Sequence, residues 1–141
     1  MIDYRFENCF SDKFPYQDCK ELYEEFNKKY IYKNFDYSFE DLMRNIGQSG
    51  FLYACFVDDI FSGCIYFHNF KEKTCFVTGF AKRKNAKYSA KALNILCDVI
   101  STKGNLIEIF AEVEDRHVSL FLLKAGFKKT NNNIYSRKGV I

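Results

Sequence analysis

The fold is decided by the stretch from Ala86 to Glu114, which reads AKYSAKALNILCDVISTKGNLIEIFAEVE. Its first part carries apolar residues at three-and-four spacing, which predicts a helix with one buried face. Gly104 follows Lys103 and predicts the end of that helix, because glycine tolerates the left-handed backbone and a cation suits the last turn. The part from Asn105 onward alternates strictly between apolar and polar residues, which predicts a strand.

The residues before this stretch predict a short strand over 2–7, then two helices that begin near Pro15 and Ser38. Ser38 and Asp41 resemble a capping box, which favours a helix start at this point. Three apolar runs follow, separated by short polar gaps, and this pattern predicts an antiparallel meander. The expected strands cover residues 51–57, 60–68 and 74–80, with turns at 58–59 and 69–71.

The residues after Glu114 predict a helix over 116–125 that ends at Gly126, then two short strands over 127–130 and 134–137. An asparagine run at 131–133 supplies the turn between these strands. The whole order predicts an α/β protein with a mostly antiparallel mixed sheet and about four flanking helices. With 141 residues, the chain suits a single domain over 1–141.

Composition narrows the classes of function. No apolar run approaches the roughly 20 residues that span a bilayer, so we expect no membrane partner. The net charge of +3 is too small to favour a nucleic-acid partner. The six cysteines form no C-x-x-C motif, and the start of the chain lacks a signal peptide. We therefore expect no metal site, reduced buried thiols and a cytoplasmic location.

The order of elements and one local motif resemble the GNAT (Gcn5-related N-acetyltransferase) fold, also called the acyl-CoA N-acyltransferase fold. The motif is Glu114-Asp115-Arg116-His117-Val118-Ser119-Leu120-Phe121-Leu122-Leu123-Lys124-Ala125-Gly126-Phe127. In that family a helix followed by Leu-Gly-Phe occupies this place, and here the helix is followed by Ala-Gly-Phe. The resemblance implies that acetyl-CoA is the cofactor and that a small-molecule or protein amine is the substrate.

The same resemblance implies a cofactor turn between the third meander strand and the central helix. Family members carry Arg/Gln-x-x-Gly-x-Gly/Ala there, and the aligned residues here are Asn85 to Ala90. Tyr88 replaces the central glycine, which is used where backbone approaches a phosphate closely. The implied cofactor-binding residues are Phe80, Arg83, Asn85, Ala86, Lys87, Tyr88, Ser89, Ala90 and Asp115, with the Phe80 amide polarising the thioester carbonyl. The basic residues over 82–91 also suit a solvated helix face, or less well a phosphate backbone.

Glu108 and Glu112 are the candidate catalytic residues, since they share one face of the strand with Phe110. In an enzyme either carboxylate can serve as the base that deprotonates an amine, and Glu112 is nearer the end of the strand. The same alternation is also typical of a solvent-facing strand. The tyrosine that acts as general acid in the family is Leu122 here, and the family's asparagine is Asp115.

A narrower resemblance is to the acetyltransferase-like internal virion proteins of short-tailed bacteriophages. It depends on Phe76-Val77-Thr78, Lys82-Arg83-Lys84, His117, Phe121-Leu122 and Gly126, which occur in the same order. It implies a degenerate acetyltransferase-like protein with a virion or binding role, found in a bacterial host or in the virion. Its partners would then be virion or host proteins. The alternative is an active acetyl-CoA-dependent N-acetyltransferase, so the sequence leaves open whether the protein is an enzyme.

Overall fold

The computed structural model describes residues 1–29, 37–46, 51–82, 86–113, 122–131 and 133–139, which form one mixed sheet and the helices around it. The elements in chain order are β1 (Tyr4–Asn8), α1 (Tyr16–Lys29), α2 (Phe39–Ile46), β2 (Leu52–Val57), β3 (Ile60–Lys71), β4 (Thr74–Ala81), α3 (Ala86–Gly104), β5 (Glu108–Glu112), β6 (Lys128–Asn131) and β7 (Ile134–Lys138). Residues 122–124 add a helical turn. The seven strands are ordered β1-β2-β3-β4-β5-β7-β6. The chain divides into two compact units, Met1–Tyr66 with Gly79–Asn85 and Phe67–Thr78 with Ala86–Ile141.

The first unit is held by an apolar core between its strands and the helices α1 and α2. β1 pairs antiparallel with β2, and β2 pairs antiparallel with β3. The helices contribute one buried stripe each, made of Cys19, Leu22 and Tyr23 on α1 and Phe39, Leu42 and Ile46 on α2. Fully burying an aromatic or aliphatic side chain stabilises a fold by about 1.5–3 kcal/mol. These buried stripes are therefore the faces of α1 and α2 that form the core of the first unit.

Local chemistry sets the ends of several elements in the first unit. The Ser38 hydroxyl accepts a hydrogen bond from the Asp41 amide at 3.1 Å, which caps α2 as its sequence predicts. Asp58 and Asp59 have positive φ angles of 50° and 64°, as a tight hairpin turn requires. The predicted turn between the second and third meander strands was wrong. β3 continues to Lys71, and the turn falls at 72–73.

The second unit is built on a parallel pair of strands. β4 pairs parallel with β5, and β7 lies antiparallel between β5 and β6. Cys75 pairs with Ile109 and Ile109 pairs with Arg137, so these three side chains point to one face of the sheet. Phe76 and Phe110 point to the other face, with ring centroids 5.5 Å apart.

The helix α3 covers the Cys75 face. Arg137, with a side chain that is 11% exposed, donates to the side-chain oxygen of Asn94 at 2.7 Å and forms an ion pair with Asp98. At the end of the turn over 122–124, the Phe127 amide donates to the Leu122 carbonyl at 3.0 Å, and Gly126 has a φ of 92°. This is a Schellman motif, and it confirms the predicted role of Gly126 as the residue that ends the helix.

The predicted α/β class and mixed sheet are confirmed, with differences at the ends of elements. β5 is shorter than the predicted strand, because residues 105–107 connect α3 to it. Asn105 adopts the left-handed φ of 53° after the helix, in place of the predicted Gly104. Most of the helix predicted over 116–125 lies outside the described residues. None of the described helices is long and apolar enough to cross a membrane.

We expect Gly63→Ala to lower the free energy of unfolding by about 1–3 kcal/mol, the usual cost of overpacking. A Cβ at residue 63 would lie 2.3 Å from the Phe80 carbonyl oxygen, and that backbone cannot rotate away. Gly79→Ala is the matched control, since its Cβ would meet only the Cys64 carbonyl oxygen at 4.0 Å. Urea unfolding of both variants measures the difference, and equal midpoints would contradict this account of Gly63.

Candidate functional site

The parallel ladder between β4 and β5 is shorter than either strand. Its pairs join Thr74 to Glu108, Cys75 to Ile109 and Phe76 to Phe110. In the described part of the second unit no further pair continues it, although β4 runs past Phe76 and β5 runs to Glu112. Backbone amides and carbonyls at such an opening are free to pair with an extended ligand, much as an exposed sheet edge does.

The start of α3 supplies a second feature of the second unit. The helix begins at Ala86, so the amides of its first turn have no acceptor within the helix and favour an anion. Lys87 is exposed, and its ammonium nitrogen lies 5.0 Å from the centre of the Tyr88 ring. Tyr88 and Ser89 are half-buried and Ala90 is buried. A phosphate at this helix start would therefore have a lysine and an aromatic ring beside it.

Phe80 belongs to the first unit, where its ring is buried against α1. The centroid of the Phe80 ring lies 5.7 Å from that of Tyr23 and 5.3 Å from that of Phe26, and both pairs have edge-on geometry. Such aromatic pairs contribute about 0.5–1.5 kcal/mol beyond the area that they bury. The Phe80 side chain thus belongs to the core of the first unit and does not carry the predicted role.

The two candidate carboxylates have different surroundings. Glu108 is half-buried, and its carboxylate lies 3.5 Å from the Lys138 ammonium on the paired strand. Glu112 is exposed at the end of β5, on the same face as Phe110. Of the two, Glu112 is the carboxylate that is positioned to meet a soluble cation.

The position of the family's general acid presents no hydroxyl beside Glu112. Leu122 is 4% exposed and belongs to the core. Tyr135 is buried and pairs with Ala111, so it points to the face that α3 covers. The predicted residues Arg83, Asn85 and Asp115 lie outside the described residues, as does the side chain of Ala86.

The cysteines behave as core residues, as predicted. All six are free and buried. Burial raises the pKa of both Cys75 and Cys97 to about 12, so neither thiol is a nucleophile near neutral pH. Within the described residues there is also no group of side chains that could hold a metal ion.

The second unit contains a hydrogen-bonded pair that the sequence pattern does not predict. The His68 Nε2 atom lies 2.8 Å from the Thr78 hydroxyl, and the His68 ring stacks on Phe76 with centroids 6.2 Å apart. Asn69 has a φ of 54° inside β3, which is typical of a β-bulge. A bulge shifts the register between β3 and β4. Residues counted outward from the hairpin turn at 72–73 therefore do not place His68 beside Thr78.

No protein-family model matches the chain, and no curated protein matches it in sequence. Its fold does match solved structures. An acetyltransferase of the GNAT family from Bacillus anthracis matches over 96% of this chain and 94% of its own, with a TM-score of 0.69 and 14% identity. The ribosomal alpha-N-protein acetyltransferase RimL, in complex with coenzyme A, matches over 96% of this chain and 93% of its own, with a TM-score of 0.69 and 12% identity.

The N-acetyltransferase PseH from Campylobacter jejuni matches over 94% of both chains, with a TM-score of 0.62 and 19% identity. This chain has the GNAT acetyltransferase fold. The predicted fold class is thereby confirmed. The narrower resemblance to bacteriophage virion proteins stays a prediction, as do the roles of the individual site residues.

We expect Leu122→Tyr to lower the free energy of unfolding by about 1–3 kcal/mol, because a phenol does not fit the space of a buried leucine. Leu123→Tyr is the matched control, since Leu123 is 49% exposed and should change stability by less than about 0.5 kcal/mol. Urea unfolding measures both. A stable Leu122→Tyr protein would contradict the assignment of this position to the core and would make it a usable site for an acid.

Proposed function

We propose that the protein is an N-acyltransferase that takes its acyl group from acetyl-CoA and transfers it to a primary amine. The observation that carries the proposal is the β4–β5 ladder, which ends at Phe76 and Phe110 while both strands continue. The amide groups of a pantetheine arm can pair with strand backbone at such an opening. The fold supports this assignment, and the matching RimL structure holds coenzyme A.

Two features of the chain favour acetyl-CoA binding, and one residue opposes it. The amides of the first turn of α3 point toward the start of the helix, where they favour an anion, and Lys87 adds a positive charge for the phosphates. The backbone of β4 offers strand hydrogen bonds. Tyr88 is the opposing residue, because its ring stands where the family has glycine. When bound, acetyl-CoA supplies an activated thioester that an amine can attack.

The chain's own contribution to the acceptor is electrostatic. Most primary amines are protonated in neutral water, and the exposed Glu112 carboxylate attracts such a cation to the end of β5. The rings of Phe76 and Phe110 lie on the same face and present negative π surfaces that also favour a cation. Glu108 is less suited to this role, because Lys138 already neutralises it.

A second candidate function is a binding protein without catalysis, as the resemblance to the phage virion proteins implies. The observation that favours it is the joint replacement at two positions, where Tyr88 and the buried Leu122 stand in place of the family's glycine and tyrosine. Exposed aromatic residues such as Phe10 and Phe70 could then anchor a protein partner. Phage virion or host proteins are the partners that this candidate predicts.

We expect the wild-type protein to bind acetyl-CoA in isothermal titration calorimetry. Lys87→Ala should weaken binding by about 1–2 kcal/mol, the value of a charge-assisted hydrogen bond. Lys103→Ala is the matched control, since Lys103 is also exposed on α3 but lies in its last turn. Equal effects of the two substitutions would contradict a phosphate site at the start of the helix.

Tyr88→Gly separates the two candidate functions. If the wild type does not bind acetyl-CoA at millimolar concentration but Tyr88→Gly does, the ring blocks the phosphates and the binding-protein candidate is supported. If the wild type binds and Tyr88→Gly changes affinity little, the enzyme is supported. The glycine costs about 1 kcal/mol of helix propensity, so thermal melting is measured on the same samples.

We expect Glu112→Gln to raise the KM for the amine about fivefold with little change in kcat, because it removes an exposed charge pair of ~1 kcal/mol. Glu108→Gln is the control and should leave KM nearly unchanged. Steady-state acetylation assays measure both variants. A Glu112→Gln protein with normal KM and greatly reduced kcat would instead support the predicted role of Glu112 as the catalytic base.

A further inference from the structure

The pair His68 and Thr78 has no part in the function proposed above, yet it lies on the face that Glu112 shares. His68 stacks on Phe76, and Phe76 contacts Phe110, so the three rings form a row across β3, β4 and β5. Thr78 follows Phe76 by two residues on β4, and Glu112 follows Phe110 by two residues on β5. Successive even-numbered residues of these two strands point to this face.

The register gives Thr78 a defined position relative to Glu112. Thr74 pairs with Glu108 and Phe76 with Phe110, so continuing the ladder by two residues would bring Thr78 opposite Glu112. The ladder has ended before that point among the described residues. Thr78 therefore lies at the opening between the strands, where the proposed acetyl transfer takes place.

His68 places one ring nitrogen beside the Thr78 hydroxyl. The Asn69 side chain accepts a hydrogen bond from the imidazole, which stabilises an N–H on the ring. Nε2 is the nitrogen near the Thr78 hydroxyl, and in the tautomer that carries its N–H on Nδ1 it accepts a hydrogen bond from Thr78. This is the arrangement of a hydroxyl and a base that activates it.

Burial keeps the imidazole in its neutral form. It lowers the pKa of His68 below the usual 6.5, and the Asn69 hydrogen bond opposes this only in part. β4 presents Thr78 and Phe76 to the ring, neither of which titrates near neutral pH. The carboxylates on this face, Glu108 and Glu112, belong to β5, beyond the Phe76 and Phe110 rings. At pH 7 His68 is thus in the neutral form that a general base requires.

We propose that Thr78 and His68 form a relay that takes the proton from the acceptor amine before acyl transfer. This role rests on the proposed N-acyltransferase function and names the proton acceptor within it. Thr78 is the catalytic residue that touches the amine, and His68 acts through it.

The relay carries one proton from the ammonium group through the Thr78 hydroxyl to His68. The ammonium group gives one proton to the Thr78 oxygen, while the Thr78 hydroxyl proton passes to Nε2 of His68. The amine is then neutral and can attack the thioester, forming a carbon–nitrogen bond as the carbon–sulfur bond breaks. The nitrogen loses its second proton to the departing thiolate, and the imidazolium of His68 returns its proton to water.

The test compares variants that differ in one group each. Thr78→Val removes the hydroxyl and keeps the β-branched shape, whereas Thr78→Ser keeps the hydroxyl. His68→Gln keeps a polar group near the position of Nε2 but cannot take a proton. The probe is whichever of spermidine, phenethylamine or a peptide with a free amino terminus the wild type acetylates fastest, with acetyl-CoA as donor.

We expect kcat to fall by about a hundredfold or more in Thr78→Val and His68→Gln, and to stay within about threefold in Thr78→Ser. Acetyl-CoA affinity and melting temperature should remain those of the wild type. In the wild type, kcat should be full above the lowered pKa of His68 and lost as pH falls through it. That acidic limb should be absent in His68→Gln.

Failure of the proposed function and failure of the relay alone give different results. A wild type that neither binds acetyl-CoA nor acetylates any probe removes the proposed function, and the relay with it. A wild type that turns over while Thr78→Val has normal kcat, or while His68→Gln keeps the acidic limb, overturns the relay alone. If Thr78→Val melts far below the wild type, the comparison of Thr78→Ser with His68→Gln decides in its place.

Discussion

The parallel register between β4 and β5 is the constraint on which the second unit depends. Parallel neighbours cannot be joined by a short turn, so the chain must return along the sheet before it enters β5. The helix α3 provides that return and covers the face that carries Cys75 and Ile109. Arg137 then fastens the helix to β7 through Asn94 and Asp98. The parallel pairing of β4 with β5 thus determines which face of these strands α3 covers. The other face carries Phe76 and Phe110, which stay half-exposed.

The early end of the ladder between β4 and β5 costs free energy of folding. Each backbone hydrogen bond of a ladder contributes about 0.5–1.5 kcal/mol net, and a buried group left without a partner costs about 1–3 kcal/mol. β5 keeps its pairing with β7 as far as Glu112, where it faces Ile134. The strand is therefore supported on one side while its other side opens toward Thr78. The sheet thus lacks ladder bonds between β4 and β5 beyond Phe76, while β5 keeps its bonds to β7.

Features set by short-range chemistry could be predicted from the sequence, and features set by register could not. Ser38 caps α2 and Asp58 starts a tight turn, because each depends on a few neighbouring residues. Gly126 ends a helix for the same reason. The pair His68 and Thr78 instead depends on the left-handed Asn69 within β3, which no apolar pattern reveals. The opening beside Phe76 likewise depends on how two strands separated by α3 align.

The two departures from the family pattern differ in how strongly they oppose catalysis. A thiol has a pKa of about 8.5, so a thiolate can leave unprotonated at pH 7 at a cost of about 2 kcal/mol. Leu122 in place of an acid therefore slows this step, by about a hundredfold or more where general-acid catalysis is lost, but water can supply part of that proton. Tyr88 acts differently, because a ring in the space of a phosphate excludes the ligand rather than slowing a step. Its Cβ is fixed by the first turn of α3, and the Lys87 ammonium already lies over its ring. The choice between an enzyme and a binding protein therefore depends on the direction of one side chain at the start of α3, and much less on the missing acid.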